Sequence, residues 1–433
     1  MFTKKIFIII LSSLLYGSDI PKVKFENSII LPIPDLSFFE NTYTGLDIIE
    51  QMDFEPFENK KIAILTNHTA VNRNGKHLLD LIHKANNSNV LFILTFENGL
   101  WGVDDKRSTL IGREGVEPLH EAPIIDLFDT YVYPPHWVMD EVDFLLVDFQ
   151  DTGSRYATYI ATMSKVFEAA SNHKVPVILL DRPNPIRGDI LEGPIPRTEY
   201  QSYESYHLLP IRHGLTYGEI SIMINEMGWI DKSKKVDLTV VPMANWNRNH
   251  WFSETALVWK NPKPSIQNEE TLLAYSGMDI FRGTNMNIGF GTETPYLIVG
   301  APWLSTTFLL EKLRSKLFKG VEFSEISYRP HGSSYHKRVP KYDGQSCSGI
   351  KIFIKNKDTF EPLKVATSIL FLINQLHPRE FQWEANDYID KLFGTNELRV
   401  MAAQKKPASH LTAIWSQDIY KFSEFRQKFL IYK

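Results

Sequence analysis

From about residue 60, short apolar runs alternate with segments of helical spacing, and this alternation constrains the fold more than any other feature. The almost continuously apolar runs are KKIAILT (60–66), VLFILTF (90–96), VDFLLVDF (142–149) and VPVILLD (175–181). Strands of this composition are buried on both faces, as in a parallel sheet that carries helices on both sides. The sequence therefore predicts an α/β fold whose N-terminal domain contains a Rossmann-like, mainly parallel sheet.

The regularity weakens from about residue 256, where the sequence predicts a smaller α+β domain. A length of 433 residues allows two domains, each with its own core. GIKIFIK (349–355) has a strand pattern, and residues 362–376 have a helical one. NPKPSI (261–266) is interpreted as a linker or loop. We predict an N-terminal domain over residues 19–255 and a C-terminal domain over residues 256–433, both of which contribute to one cleft.

Residues 1–20, MFTKKIFIIILSSLLYGSDI, have the pattern of a secretory signal. Lys4 and Lys5 precede an apolar run, and small residues follow that run. The run is shorter than the ~18–20 residues that a membrane-spanning helix needs. We predict a signal peptide over residues 1–18, a periplasmic or secreted protein, and no stable membrane insertion after cleavage. An uncleaved N-terminal anchor is the alternative.

Charge and residue usage exclude several classes of site. The formal net charge is −4, and no dense Lys/Arg tract supports nucleic-acid binding. Cys347 is the only cysteine, so an intramolecular disulfide and a cysteine metal cluster are excluded. The histidines near the first strand do not form an H-E-x-x-H zinc pattern, and no glycine-rich phosphate loop follows that strand. We therefore predict neither a metal ion nor a cofactor.

Polar residues follow the carboxyl end of each predicted strand. The four ends read TNHT (66–69), ENG (97–99), DFQDTGSR (148–155) and DRPNP (181–185). Ligands of open parallel sheets bind outside these ends. Turn-forming preferences account for the Asn, Asp, Gly and Pro residues, but less well for a glutamate, a glutamine and arginines at one edge. The sequence therefore predicts a binding site there.

Glu97 is the candidate for chemistry at this edge. It follows the VLFILTF run directly and lies next to Phe96 and Trp101 in the sequence. An apolar setting disfavours the charged form of a carboxyl group and raises its pKa. Glu97 could then keep a proton near neutral pH and donate it to a leaving oxygen, as glycosidase acids do. Trp101, Tyr156 and Tyr159 offer ring faces for a sugar, whereas the alternative is that Glu97 only caps the following turn.

Several long segments resemble, in the same order, the exo-β-N-acetylmuramidase NamZ family. They are ILTNHTAVNRNGKHLLDLIH, VDFQDTGSRYATYIATM, LLDRPNPIRGDILEGP, LPIRHGLTYGE and IVGAPW. The resemblance implies a Rossmann-like domain followed by a smaller C-terminal domain. It also implies removal of terminal β-linked N-acetylmuramic acid from peptidoglycan-derived saccharides, without a cofactor.

The resemblance implies that Glu97 is the general acid, because TFENG stands where the family has Ser-Pro-Glu-His-Gly. Polar residues of the strand ends and neighbouring loops are the candidates for binding and orienting the saccharide: Asn67, His68, Asn98, Asp148, Gln150, Asp151, Arg155, Tyr159, Asp181, Arg182, Asn184, Arg212, His213, Thr284 and Asn285. Structural roles are the alternative for several of these residues, since some terminate strands and others precede helices.

The chain departs from the family pattern near the site. Asn98 stands in place of the histidine that follows the glutamate, and RGTN (282–285) in place of Glu-Gly-Thr-Asn. GFGTETP (289–295) lacks two arginines of the family's Gly-Arg-Gly-Thr-Thr-Arg-Pro segment and gains Glu293. Because arginines pair with carboxylates, this loss is expected to weaken recognition of the lactyl carboxylate of muramic acid.

The sequence leaves the second catalytic group open. Glu114, Glu117, Glu121 and Glu293 are candidates, and so is the 2-acetamido group of the substrate itself. Two other functions also stay open. One is a divergent glycosidase for another terminal aminosugar, and the other is a catalytically inert glycan-binding protein.

Overall fold

The computed structural model describes residues 25–33, 40–103, 115–231, 234–332 and 339–433. The predicted signal peptide and Glu114 lie outside these ranges. Within the described ranges, no helix has both the length and the apolar character that crossing a membrane requires.

A large sheet organises the N-terminal half of the chain. Its strands are β1 (Ser28–Ile30), β2 (Lys61–Thr66), β3 (Asn89–Thr95), β4 (Gly115–Glu117), β5 (Ala122–Asp126), β6 (Phe144–Asp148), β7 (Val177–Leu180) and β8 (Leu238–Val241). They lie in the order β1-β8-β7-β6-β2-β3-β5-β4. Neighbouring strands are parallel, except that β4 runs antiparallel to β5. The predicted Rossmann-like, mainly parallel sheet is therefore confirmed.

Both faces of this sheet are buried, which is why its strands read as continuous apolar runs. In β2, Ala63 and Leu65 belong to the core on one face. Ile62 and Ile64 belong to a separate core on the other face. Successive side chains of a strand point to opposite faces, so a strand with a core on each side needs an apolar residue at every position.

Helices cover the two faces of the sheet. They are α1 (Gly45–Gln51), α2 (Leu78–Ala85), α3 (His136–Glu141), α4 (Tyr159–His173) and α5 (Tyr217–Met227). The helix α5 begins with a capping box, in which the Glu219 amide donates to Thr216 Oγ1 and the Thr216 amide donates to Glu219 Oε2. The helix α4 begins at Tyr159, and a bridge between Ser154 and Arg212 keeps the segment before it outside the helix.

A smaller α+β domain follows, as predicted. Its antiparallel sheet has the order β10-β11-β9, with β9 (Ile298–Ala301), β10 (Val321–Tyr328) and β11 (Cys347–Ile354). Its helices are α6 (Glu269–Met278), α7 (Thr306–Ser315), α8 (Pro362–Leu376), α9 (Tyr388–Phe393), α10 (Glu397–Ala403) and α11 (Ala408–Arg426). Short 3-10 helices occur at Glu55–Phe57, Thr198–Tyr200, Tyr203–Ser205, Phe252–Glu254, Asp279–Gly283, Ala385–Asp387 and Gln427–Phe429.

The end of the chain returns to the large sheet. Phe422, Phe429 and Tyr432 belong to one of the two cores of that sheet. The Tyr432 hydroxyl donates to Asp181 Oδ2 over 2.6 Å and accepts a hydrogen bond of 2.9 Å from the Met243 amide. Burial raises the pKa of Asp181 to about 7, although hydrogen bonds, that of Tyr432 first among them, act in the opposite direction. The C-terminal segment therefore completes the N-terminal domain.

We expect Tyr432→Phe to lower the free energy of unfolding by about 2 kcal/mol, because it leaves the Met243 amide and an Asp181 oxygen buried without this partner. Urea unfolding measures the change. Tyr420→Phe is the matched control, since Tyr420 is 65% exposed and its hydroxyl binds Glu424 on the surface of α11. Equal effects of the two substitutions would contradict the role given to the Tyr432 hydroxyl.

Candidate active site

The loop between the two domains closes over the carboxyl edge of the large sheet. Three consecutive residues of this loop are each bound by one side chain from the sheet side. His68 Nε2 donates to the Asn261 carbonyl over 2.8 Å, and the Tyr159 hydroxyl donates to the Pro262 carbonyl. Lys263 Nζ lies 2.6 Å from Glu97 Oε2. The segment interpreted as a linker is therefore part of the site.

The turn that carries Glu97 requires unusual backbone angles. Asn98 has a φ of 74°, a left-handed conformation that asparagine tolerates better than most residues. Gly102 has a φ of 63°. A Cβ atom at residue 102 would lie 1.9 Å from Cε1 of the His68 ring. The loose turn after β3 thus makes room for His68, which in turn holds the domain loop.

The Glu97 carboxylate is mostly buried and fully ionised at neutral pH. Its side chain is 16% exposed, and its Oε2 accepts from Lys263 Nζ and, over 3.0 Å, from Thr158 Oγ1. Burial acts to raise the pKa of Glu97, but Lys263, the Thr158 hydroxyl and the charge of Arg282 together lower it to about 2. Thr158 precedes the first residue of α4, so the carboxylate also lies at the positive end of that helix.

The raised pKa predicted for Glu97 is therefore wrong for the free protein. The prediction relied on apolar neighbours, yet Trp101 is 42% exposed, and Phe96 packs against Phe149 and Tyr159. A cation that the local sequence does not contain determines the result. The depressed pKa means that the Glu97 ion pair stabilises the fold above about pH 4.5 and loses this contribution as the pH falls toward 2.

A second group of charges comes from the C-terminal domain and a loop of the first. Arg282 Nε donates to Asp279 Oδ2 over 2.9 Å, and its Nη2 donates to Glu204 Oε1 over 3.3 Å. The Tyr388 hydroxyl donates to the same Glu204 oxygen over 2.8 Å. Arg282 is thus held by two carboxylates, while its charge still acts on Glu97.

Tyrosine rings line the interior of this region. Tyr156 and Tyr159 are 1% and 0% exposed, so the prediction that they offer open faces to a sugar is wrong. Burial, and then the charges of groups that include Asp279 and Glu97, raise the pKa of Tyr275. Within the described ranges, the hydroxyls of Tyr156 and Tyr275 are buried without a hydrogen-bond partner.

Other predicted residues at the strand ends form a buried scaffold. Arg182 Nη2 donates to Asp148 Oδ2 over 2.8 Å, and its Nη1 donates to the Val71 carbonyl over 2.9 Å. The remaining members bond to backbone groups in the same way: Asn67 to Thr69, Gln150 to Pro183, Asp151 to Gly153, Asp181 to Gly218, Asn184 to Leu215, and Arg212 to Ile186. His213 Nε2 lies 3.5 Å from Asp151 Oδ2. The described structure shows these side chains supporting loops, and their contact with a saccharide stays a prediction.

Arg155 and Asn285 connect segments that are distant in the sequence, whereas Thr284 makes a local bond. Arg155 donates to the Leu392 and Phe393 carbonyls over 3.0 and 2.7 Å, where α9 ends. Thr284 Oγ1 donates to the Phe281 carbonyl. Asn285 Nδ2 donates to the Glu380 carbonyl over 2.8 Å. Arg155 therefore joins the two domains next to the site rather than lying free within it.

The glutamates considered as a second catalytic group are not grouped around Glu97 by any contact in the described residues. Glu117 is 2% exposed, and its carboxylate accepts from the Leu119 and His120 amides over 3.1 and 3.0 Å. Glu121 and Glu293 are exposed. The second group stays open.

Comparisons with known proteins identify the family. A model of the N-terminal domain of exo-beta-N-acetylmuramidase NamZ matches residues 62–270, and one of the C-terminal domain matches residues 273–432. The chain belongs to this family. It is therefore a glycoside hydrolase by family, as predicted. A relative from Bacillus subtilis (strain 168), described as peptidoglycan beta-N-acetylmuramidase NamZ, is 31% identical over 389 residues, which are 90% of this chain and 91% of the relative.

Two solved structures from Bacteroides fragilis NCTC 9343, both described as DUF1343 family proteins, have the same fold. The first, solved at 1.65 Å, has a TM-score of 0.83 and 25% identity, and the match covers 91% of this chain and 100% of that one. The second, solved at 1.30 Å, has a TM-score of 0.73 and 26% identity over 91% and 99% of the two chains. The NamZ fold predicted from the sequence is thereby confirmed.

Sequence reasoning missed four residues of this candidate site: Thr158, Glu204, Lys263 and Asp279. One signal was present for Lys263, because Pro262 and Pro264 flank it and restrict the backbone on both sides. A charged residue held between two prolines is placed more firmly than one in a flexible linker. Glu204 and Asp279 carried no comparable local signal.

Replacing Lys263 is expected to raise the pKa of Glu97. In Lys263→Met, burial is opposed only by the Thr158 hydroxyl and the charge of Arg282, so the pKa of Glu97 should lie well above that in the wild type. Nuclear magnetic resonance of ¹³C-labelled glutamate carboxyl groups measures the titration, with Glu97→Gln to assign the resonance. Lys263→Arg is the control and should keep Glu97 ionised down to about pH 4. A Glu97 titration that is the same in Lys263→Met and wild type would contradict this account.

Proposed function

We propose that the protein removes terminal β-linked N-acetylmuramic acid from peptidoglycan fragments, with Glu97 as the general acid. The observation that carries the proposal is the position of Glu97, a mostly buried carboxylate at the carboxyl edge of the sheet, where the domain loop brings Lys263 against it. The relative from Bacillus subtilis is described as a peptidoglycan beta-N-acetylmuramidase and is similar along nearly the whole chain. Both facts support the same reaction.

In this mechanism Glu97 protonates the glycosidic oxygen as the bond to the muramic acid ring breaks. As this bond breaks, positive charge develops on the sugar ring. A second group then either attacks the anomeric carbon and is later displaced by water, or takes a proton from a water molecule whose oxygen bonds to this carbon. The carboxylate has to acquire a proton before this step, because it is ionised when paired with Lys263. The Thr158 hydroxyl can bond to both forms of Glu97, because it can donate to the carboxylate and accept from the protonated acid.

We expect the wild-type protein to release N-acetylmuramic acid from a disaccharide in which it is β-linked to N-acetylglucosamine, and Glu97→Gln to reduce kcat by about 10²- to 10⁴-fold, because a sugar leaving group needs the transferred proton. Glu424→Gln, on the surface of α11, is the control and should keep the wild-type rate. An unchanged rate in Glu97→Gln would sink the proposed mechanism. The same assay with Glu114→Gln, Glu117→Gln, Glu121→Gln and Glu293→Gln tests the four glutamates considered for the second group.

The two other functions predict different results in the same assay. A divergent glycosidase would turn over a neutral β-N-acetylglucosaminide and leave the N-acetylmuramic acid disaccharide intact. A glycan-binding protein without catalysis would bind the saccharides with no turnover in the wild type. The identity of 31% over nearly the whole chain to a relative described as a peptidoglycan beta-N-acetylmuramidase favours the hydrolase.

Export to the periplasm or the medium is proposed from the N-terminal pattern alone. Cell fractionation, followed by N-terminal sequencing of the purified protein, tests it. A protein that stays in the cytoplasm with residues 1–18 still attached would overturn this part of the proposal.

A further inference from the structure

We propose that the Lys263 ammonium is the binding site for the lactyl carboxylate of the substrate, and that Glu97 occupies this site until the substrate arrives. The incoming carboxylate takes over the ammonium, and Glu97 then binds a proton from solvent and becomes the general acid. The inference rests on the proposed function. It also explains why the protein would act on a muramic acid and not on a neutral aminosugar.

The geometry provides a carboxylate-binding site that already contains a carboxylate. Lys263 Nζ and Glu97 Oε2 are 2.6 Å apart, and the two side chains are 13% and 16% exposed. Both side chains keep part of their surface in contact with solvent, and the proposal is that the substrate approaches from this side. The site lies at the sheet edge where open parallel sheets bind their ligands.

The arginines considered for binding the lactyl carboxylate are either missing from the sequence or paired with carboxylates. The segment 289–295 reads GFGTETP and has no arginine. Arg282 is held by Asp279 and Glu204 over 2.9 and 3.3 Å. The partner of Lys263, by contrast, is the carboxylate proposed to do the chemistry. A ligand that displaces this partner changes the catalytic group directly.

Charge balance makes Glu97 take up a proton when the second carboxylate binds. Two carboxylates that share one ammonium would leave a net negative charge in a mostly buried place, and a neighbouring like charge favours the protonated form. Burial already acts on Glu97 in the same direction. The site therefore starts as one ammonium and one carboxylate, gains the lactyl carboxylate and one proton, and ends as an ammonium–lactyl pair beside a neutral Glu97.

The proton is returned in the reaction. Glu97 gives it to the glycosidic oxygen, and the carboxylate that results can pair with Lys263 again when the muramic acid leaves. A neutral aminosugar brings no anion, so Glu97 stays ionised and cannot act as an acid. Lys263 thereby selects the substrate through the protonation of Glu97 as well as through affinity.

Calorimetry with N-acetylmuramic acid and N-acetylglucosamine tests the inference, because these sugars differ only in the lactyl ether. Titrations at pH 7 in buffers of different ionisation enthalpy give the number of protons bound. We expect uptake of about one proton with N-acetylmuramic acid and about none with N-acetylglucosamine. Glu97→Gln should still bind N-acetylmuramic acid, but without proton uptake.

Substitutions at Lys263 separate charge from structure. Lys263→Met should weaken the binding of N-acetylmuramic acid at least about tenfold, which corresponds to about 1.4 kcal/mol. The affinity for N-acetylglucosamine should not change. Lys263→Arg should retain both the affinity and the proton uptake. The ¹³C resonance of the Glu97 carboxyl group gives a second measurement that tolerates weak binding, and saturating N-acetylmuramic acid should move it to the position of a protonated acid at pH 7.

The two levels of the proposal fail in different ways. If wild type binds N-acetylmuramic acid with no proton uptake and no movement of the Glu97 resonance, while Glu97→Gln still abolishes turnover, the role of Lys263 is wrong and the general acid stands. If wild type shows no turnover of the N-acetylmuramic acid disaccharide, the proposed function itself fails. If Lys263→Met does not fold, the wild type and Glu97→Gln titrations alone decide the question.

Discussion

The salt bridge between Glu97 and Lys263 joins the end of β3 to the loop between the domains and determines the charge of the site. Removing two ions from water costs more than their attraction usually returns, so a mostly buried ion pair is weak evidence for stability. This one receives one further hydrogen bond, from Thr158. Its position at the ligand-binding edge of a parallel sheet fits the proposed chemical role, in which the lactyl carboxylate of the substrate displaces Glu97 from Lys263.

Local sequence patterns were sufficient to predict the sheet and the edge of it where the candidate site lies. Apolar runs reveal strands, and the polar residues that follow them must lie together when the strands are parallel. Lys263 was beyond this reasoning, because it is 166 positions from Glu97 in the chain and its segment has the composition of a linker. The pKa of Glu97 could not be predicted for the same reason, since it depends on Lys263. Burial raises that pKa, and Lys263, followed by the Thr158 hydroxyl and Arg282, reverses the direction.

Sequence reasoning also could not separate residues that hold the site from residues that face a ligand. Asp148 and Arg182 pair with each other, and Arg155 binds the end of α9. Asp, Arg and Asn serve equally well for loop support and for saccharide binding, since both tasks need charged or amide groups at strand ends. Arg282, a departure from the family pattern, is the informative case. Its charge is compensated by Asp279 and Glu204 within the fold.

The return of the C-terminal segment to the large sheet has a consequence for how the protein is made. Tyr432 bonds to Met243 across 189 positions, and Phe422 and Phe429 pack in the same core. A ribosome that has finished β8 has therefore produced every strand of the sheet but not the side chains that cover this part of it. The nascent chain exposes an apolar surface until translation reaches the last helix, and chaperones that recognise such surfaces have that interval in which to bind.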